Sequence, residues 1–283
     1  MTERIYSIAG VRLRVTGPER WMYQNEGTLA PFVATGGWDH SLEFEVVEQL
    51  SAPEGACVYR EPGKQIYVHG DTQLRYEGAV ANDLTGAYLR IARRGNISRV
   101  EVKQENIPCG ISYKLVMNCM EAEHLLTAAG GFLLHASCIR REGKAILFTA
   151  PSGTGKSTQA DLWGTLRGAE LINGDRAAVF PCDGNAQVRG IPFCGSSGVA
   201  KNETLPLEAI VYLSQAPSTT ITRLTGTKAF RRVWEGCSVN VWNRTDMERC
   251  SQSVLDIVSA IPVYYLACTP DETAVSALEE VLK

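Results

Sequence analysis

The sequence predicts two parts: a β-rich N-terminal domain over residues 1–118 and an α/β domain over residues 119–283. Three observations carry this reading. Short strand-like runs, separated by turns rich in Gly, Pro and Asn, fill the first part. From about residue 119 strand and helix patterns alternate, as in an α/β core. Within that core an apolar run, Ala145-Ile146-Leu147-Phe148-Thr149, leads into a Gly-rich loop and then a helix-forming stretch from Lys156 to Leu166.

In the first part, turns are expected at Gly17-Pro18, Gly36-Gly37, Pro62-Gly63, His69-Gly70-Asp71 and Gly95-Asn96. The runs 57–59 and 65–68 flank Pro62-Gly63 and read as one hairpin. The runs 87–91 and 97–102 flank Gly95-Asn96 and read as another. In the last of these, Ile97, Arg99 and Glu101 alternate with Ser98, Val100 and Val102, the pattern of a sheet covered on one side.

In the second part, a short helix is expected from Glu121 to Gly130, stopped by Gly130-Gly131. A strand over 132–139, a turn over 141–144 and the strand into the Gly-rich loop follow. Leu171 to Asp175 reads as a strand that ends in an acid, and Ala209 to Leu213 as another strand. Met247, Cys250, Val254, Ile257 and Ile261 recur at helical spacing, which predicts a helix over 245–261 ended by Pro262. A strand over 263–267 leads to a last helix. Thr269 is its expected N-cap, with Pro270 in the first turn and Glu272 closing a capping box.

Composition narrows the function classes. The chain has 283 residues, 45% hydrophobic and 21% charged, enough for a sizeable core and a smaller domain. A net charge of −3 argues against a general nucleic-acid-binding surface. Nine cysteines are scattered without a C-x-x-C pair, which suits reduced thiols in the cytoplasm rather than a zinc site. The N-terminus carries no apolar core of a signal peptide, and no apolar run approaches the ~20 residues that span a bilayer.

The chemistry is expected at Ala150-Pro151-Ser152-Gly153-Thr154-Gly155-Lys156-Ser157-Thr158. This is a nucleotide-binding loop pattern with Ala in the first Gly position. Successive backbone N–H groups from Ser152 to Thr158 would cradle a polyphosphate, and the helix N-terminus adds its dipole. Lys156 would reach the terminal phosphates and the Ser157 hydroxyl would ligate Mg²⁺. Nineteen positions on, Asp175 ends the next strand, at the edge where α/β sheets bind ligands. An acid there can hold Mg²⁺ or take a proton from an attacking hydroxyl.

An acid on the strand directly after the loop helix resembles the HPr kinase/phosphorylase family and ATP-dependent phosphoenolpyruvate carboxykinases. The carboxykinase loop also contains Ser-Gly-Thr-Gly-Lys, here 152–156. Leu134-His135-Ala136-Ser137 is similar to the His-bearing segment of the kinase family, and Arg189-Gly190 resembles part of its second signature. The resemblance implies an α/β nucleotide-binding core of the HPr kinase/phosphoenolpyruvate carboxykinase type. It also implies ATP and Mg²⁺ as cofactors and His135 as a helper of Asp175 in catalysis. One departure stands out. The family's acidic pair is a single acid here, with Gly174 or Arg176 in the partner's place.

The expected reaction is ATP-dependent phosphoryl transfer to a Ser or Thr hydroxyl of a protein or peptide, a ribosomally made precursor peptide included. A small-molecule kinase acting on free serine and a non-catalytic nucleotide sensor are the alternatives, and a homo-oligomer stays open. The polar loop Gly195-Ser196-Ser197-Gly198 with Lys201-Asn202 reads either as a lid or as a plain surface loop. The basic cluster Lys228, Arg231, Arg232 reads as a solvated helix face or as a source of a cation for the phosphoryl group. His40, His69 and His124 have no comparable context and read as structural or exposed.

Overall fold

Strands buried on one face build the N-terminal part. The structure is a computed structural model that describes residues 1–80 and 84–283. The described chain forms two units, Met1–Glu121 and Ala122–Lys283. In the first unit the strands are β1 (Thr2–Ile8), β2 (Val11–Gly17), β3 (Val33–Ala34), β4 (His40–Val47), β5 (Ala56–Glu61), β6 (Gly63–His69), β7 (Thr72–Ala79), β8 (Leu89–Arg94) and β9 (Ile97–Lys103). They form a sheet in the order β3-β1-β2-β4-β9-β8-β7-β6-β5. The β2–β4 and β4–β9 pairs are parallel and the rest antiparallel.

Both expected hairpins are present, β5–β6 and β8–β9, with Gly63 and Gly95 at positive φ in their turns. On β9 Ser98, Val100 and Val102 are the buried set, as the alternation requires. The unit closes with α1 (Tyr113–Cys119), a helix not expected from the sequence. Its seven residues are too few for a clear period, and only Val116 and Cys119 are buried. The Ser112 side chain caps it by accepting from the Leu115 N–H at 3.2 Å.

The second unit is mixed α/β. In chain order it comprises α2 (Ala122–Ala128), β10 (Phe132–Arg141), β11 (Lys144–Thr149), α3 (Lys156–Arg167), β12 (Glu170–Asn173), β13 (Arg176–Cys182), β14 (Asn185–Arg189), β15 (Thr204–Gln215), β16 (Thr220–Leu224), α4 (Gly226–Trp234), β17 (Cys237–Ser238), α5 (Arg244–Ala260), β18 (Val263–Cys268) and α6 (Glu272–Val281). The sheet runs β11-β10-β13-β14-β15-β18-β16, with β12 and β17 paired to β10. β11, β15 and β18 are parallel neighbours; β10 and β11 form an antiparallel hairpin. The long β15 pairs β14 at its start and β11 further on, so five strands close on themselves.

Helices cover both faces, which explains the continuous apolar run of β11. Ala145 and Leu147 pack with Ala229, Val233, Val254 and Ile257 from α4 and α5. Ile146 and Phe148 pack with Ala160, Trp163, Val275 and Leu278 from α3 and α6. One expected cap is corrected. Asp271, not Thr269, caps α6, because its side chain accepts from the Thr273 N–H at 2.9 Å. The expected strand over 171–175 also stops short, at Asn173, leaving Asp175 in the link to β13. Among the described residues no helix is long and apolar enough to cross a bilayer.

Trp163 is the largest fully buried side chain, and it seats the loop helix on the sheet. Trp163→Ala is expected to cost about 3–5 kcal/mol. The check is the denaturant midpoint at unchanged m-value; a shift of less than about 1 kcal/mol would contradict this packing.

Candidate functional site

The Gly-rich loop joins the end of β11 to α3. Gly153 has φ 77° and Gly155 φ 117°, both in the region that favours glycine. A Cβ at either position would meet nothing within 4 Å, so the backbone angle rather than crowding requires the glycine. The loop closes with the Thr154 N–H donating to the Pro151 carbonyl at 3.3 Å, and α3 starts with Gln159 N–H to Gly155 carbonyl at 3.0 Å. Ser152, Ser157 and Thr158 are exposed. Lys156 is buried beneath the loop, its Nζ donating to the carbonyls of Ala150 at 3.1 Å and Pro151 at 3.5 Å. Burial lowers its pKa, and the negative charge of Asp175 partly restores it.

His135 and Asp175 face the same loop. The His135 Nε2 lies 3.5 Å from Asp175 Oδ1. Burial pushes the His135 pKa down, and the Lys156 and Arg176 charges push the same way, while Asp175 opposes them. The backbone fixes both residues. His135 N–H donates to the Gly236 carbonyl at 2.8 Å, and Ala136 N–H to the Asp175 carbonyl at 3.0 Å. The Thr149 hydroxyl donates to the His135 carbonyl at 2.9 Å, which ties β10 to the residue before the loop. Asn173 Oδ1 accepts from the N–H groups of Asp175 and Arg176 at 2.9 and 3.0 Å, shaping the turn that presents the acid.

Both positions for a second acid are taken up otherwise. A Cβ on Gly174 would stand 2.2 Å from Ser197 Oγ. Arg176 Nε lies 3.4 Å from Asp175 Oδ2, and its guanidinium also donates to Ser238 Oγ at 3.0 Å. The loop 195–198 is an exposed surface loop that touches the acid's turn at two points. Ser197 covers Gly174, and a Cβ on Gly195 would stand 2.9 Å from the Asp175 Cβ. Gly190 likewise abuts backbone, since its Cβ would meet the Lys201 carbonyl at 2.2 Å, and Arg189 stacks on Phe180 at 4.0 Å.

A cleft of about 340 Å³ opens beside His135, walled by Thr149, Ala150, Pro151, Tyr212 and Glu235–Ser238. Arg232 stands at this wall, 4.6 Å over the Tyr212 ring, and donates to Glu235 at 2.9 Å. Lys228 and Arg231 are exposed. Of the basic cluster, Arg231 and Arg232 both pair with Glu235 of the cleft wall, Arg231 Nε at 3.0 Å from its Oε1. His124 lies elsewhere, bonded to the buried Asp246 at 3.0 Å, and His69 is exposed. His40 is half-buried in β4.

The donor set can be tested against Mg²⁺. Among the described residues no three His, Cys, Asp or Glu side chains gather as a metal cluster. Mg²⁺ suits one or two carboxylates completed by waters and phosphates, so the hard oxygens of Asp175 and Ser157 fit a cation that arrives with a nucleotide. Sequence reasoning missed Thr149, Tyr212, Glu235 and Gly236. No motif marks them; Thr149 directly precedes the loop, and pairing between distant segments brings Tyr212, Glu235 and Gly236 to it.

A family model described as "SynChlorMet cassette protein ScmC" matches residues 111–283. A search of the curated proteins finds no match. Among solved structures, the chain is similar to the Hpr(Ser) kinase/phosphatase from Coxiella burnetii, with 13% identity, 53% of this chain and 87% of that chain covered, and a TM-score of 0.30. A likeness of that size assigns no function.

The contact between Gly174 and Ser197 predicts a coupled pair. Gly174→Ala is expected to cost about 1–3 kcal/mol by overpacking. Adding Ser197→Gly should recover most of that loss, a non-additivity that a double-mutant cycle reads directly. Additive losses would show that the two residues do not touch.

Proposed function

We propose that this chain, which belongs to the SynChlorMet cassette protein ScmC family, is an ATP-dependent phosphotransferase acting on a Ser or Thr hydroxyl of a protein or peptide. The observation that carries the reading is the convergence of three groups. Lys156 lies buried under a glycine-shaped loop, and His135 and Asp175 lie 3.5 Å apart on the side of that loop where a cleft opens. The loop N–H groups and Lys156 would hold the phosphates, as preorganised donors do where charge develops. Ser157 and Asp175 would hold Mg²⁺, which neutralises phosphate charge when bound.

The acceptor hydroxyl would enter the cleft beside His135. Its oxygen would form a bond to the γ-phosphorus as the bond to the β–γ bridging oxygen breaks, releasing ADP. His135, kept neutral by burial and by neighbouring cations, is suited to take the hydroxyl proton, with Asp175 orienting the ring. The lone acid is then relieved of one of two roles. A ribosomally made precursor peptide is the first acceptor to try, and free serine the second.

The test is mass spectrometry of the chain with ATP and Mg²⁺ against peptide pools and free hydroxy amino acids. A gain of one phosphate on an acceptor, lost in Lys156→Ala with the fold intact, is the expected result. Transfer unchanged in that variant would sink the reading. Nucleotide binding without transfer to any acceptor would favour a sensor. His135→Ala is expected to slow transfer by about 10²-fold or more.

The pH dependence has a definite sign. A His whose folded pKa is depressed is neutral over a wider range, so the acid limb of the rate profile should fall below the ordinary value of 6.5. The same shift makes His135 contribute stability that is fully present above 6.5 and is lost as pH falls below it through the depressed folded value. An acid limb above 6.5, or one unmoved in His135→Ala, would remove His135 from the proton path.

A further inference from the structure

The loop has a second side. A separate cleft of about 420 Å³ is walled by Thr154, Gly155 and Gln159 from the loop and α3, and by Leu213, Gln215 and Cys268 from the carboxyl ends of β15 and β18. It shares no wall residue with the cleft at His135. Phosphates seated on the loop would therefore border two separate clefts. The carboxyl edge of parallel strands is where α/β sheets place ligands. Gln215 Nε2 donates to the Thr154 carbonyl at 3.4 Å, which joins this wall to the loop itself.

Gln159 is the unusual residue of this wall. It is 2% exposed. Its Nε2 donates to Cys268 Sγ at 3.5 Å, a weak acceptor, and among the described residues nothing bonds its Oε1. A buried amide oxygen without a partner is unfavourable, and such groups are rare unless something outside the chain satisfies them. Packing alone would place an apolar residue here, as at the neighbouring Ala160 and Trp163. The remainder of the wall, with Leu213, Cys268 and Pro270, suits the faces of a flat ring.

We propose that this second cleft is a nucleoside subsite in which Gln159 recognises the amino edge of adenine. The inference rests on the phosphotransferase reading above. A carboxamide pairs with the N7 edge of adenine by accepting from the exocyclic amine and donating to ring nitrogen N7. That pairing would satisfy Oε1 and give Nε2 a better acceptor than a thiol. Hypoxanthine has the same ring with an acceptor where adenine has the amine, so it would leave Oε1 unpaired. Guanine carries the same acceptor on that edge.

The test is calorimetric binding of ATP, ITP and inorganic tripolyphosphate, each with Mg²⁺, to the wild type, Gln159→Met and Gln159→Asn. The wild type should bind ATP about tenfold or more tightly than ITP. Gln159→Met should bring ATP to the ITP level and leave tripolyphosphate unchanged, which also reports an intact loop. Gln159→Asn keeps the amide but withdraws it by a methylene, and should lose the preference while keeping the fold. Equal binding of ATP and ITP by the wild type, or an unchanged ratio in the variants, would overturn the subsite. If a folded wild type binds none of the three, the phosphate-loop reading itself fails, and this inference with it.

Discussion

The backbone of His135 and Ala136 makes three hydrogen bonds on which the candidate site depends. One goes to the Gly236 carbonyl, one to the Asp175 carbonyl, and one is received from the Thr149 hydroxyl. These partners come from three segments far apart in the chain. Through them β10 sets the acid, the cleft wall and the start of the loop at fixed distances. The arrangement sits on a sheet buried on both faces, where close packing leaves little room for drift. A site built this way is held by main-chain geometry, and its side chains are free to be chosen for chemistry.

The single acid becomes intelligible on this frame. Ser197 presses on Gly174, and Gly195 brings the same loop against Asp175. A second carboxylate at 174 would need the space of that loop, and at 176 it would replace the guanidinium that pairs with Asp175. The chain thus carries a cation beside its one acid. The neighbouring cations and burial together hold His135 toward its neutral form. Charge balance around Asp175, rather than a carboxylate pair, distinguishes this site.

Much of this was legible in the residues, for physical reasons that can be named. The loop has a backbone conformation that only glycine adopts readily, so Gly153 and Gly155 announce it. The helix 244–260 has enough turns for its period to show. Asp175 follows from its place after the strand next to the loop helix, and His135 from the resemblance of Leu134-His135-Ala136-Ser137 to a family segment. Tyr212 and Glu235 follow from neither. Tyr212 reaches the cleft because β15 pairs in parallel with β11 across more than sixty residues, and Glu235 because the segment after α4 bonds to β10 at Gly236 and β17, registers that no local pattern encodes. Gln159 was hidden differently. A polar residue in an exposed first turn is unremarkable, and only its burial beside Cys268 makes it a question. The cap of α6 shows the limit at small scale, since Thr269 and Asp271 are both good caps and only geometry selects the second.

The most direct test of the central claim is a crystal structure of the chain with a non-hydrolysable ATP analogue and Mg²⁺. The account predicts the β- and γ-phosphates on the N–H groups of residues 152–158, Lys156 Nζ turned from the Ala150 carbonyl to the phosphate, and the γ-phosphate toward His135 and Asp175. A nucleotide bound away from that loop, or a γ-phosphate pointing away from His135 and Asp175, would contradict it.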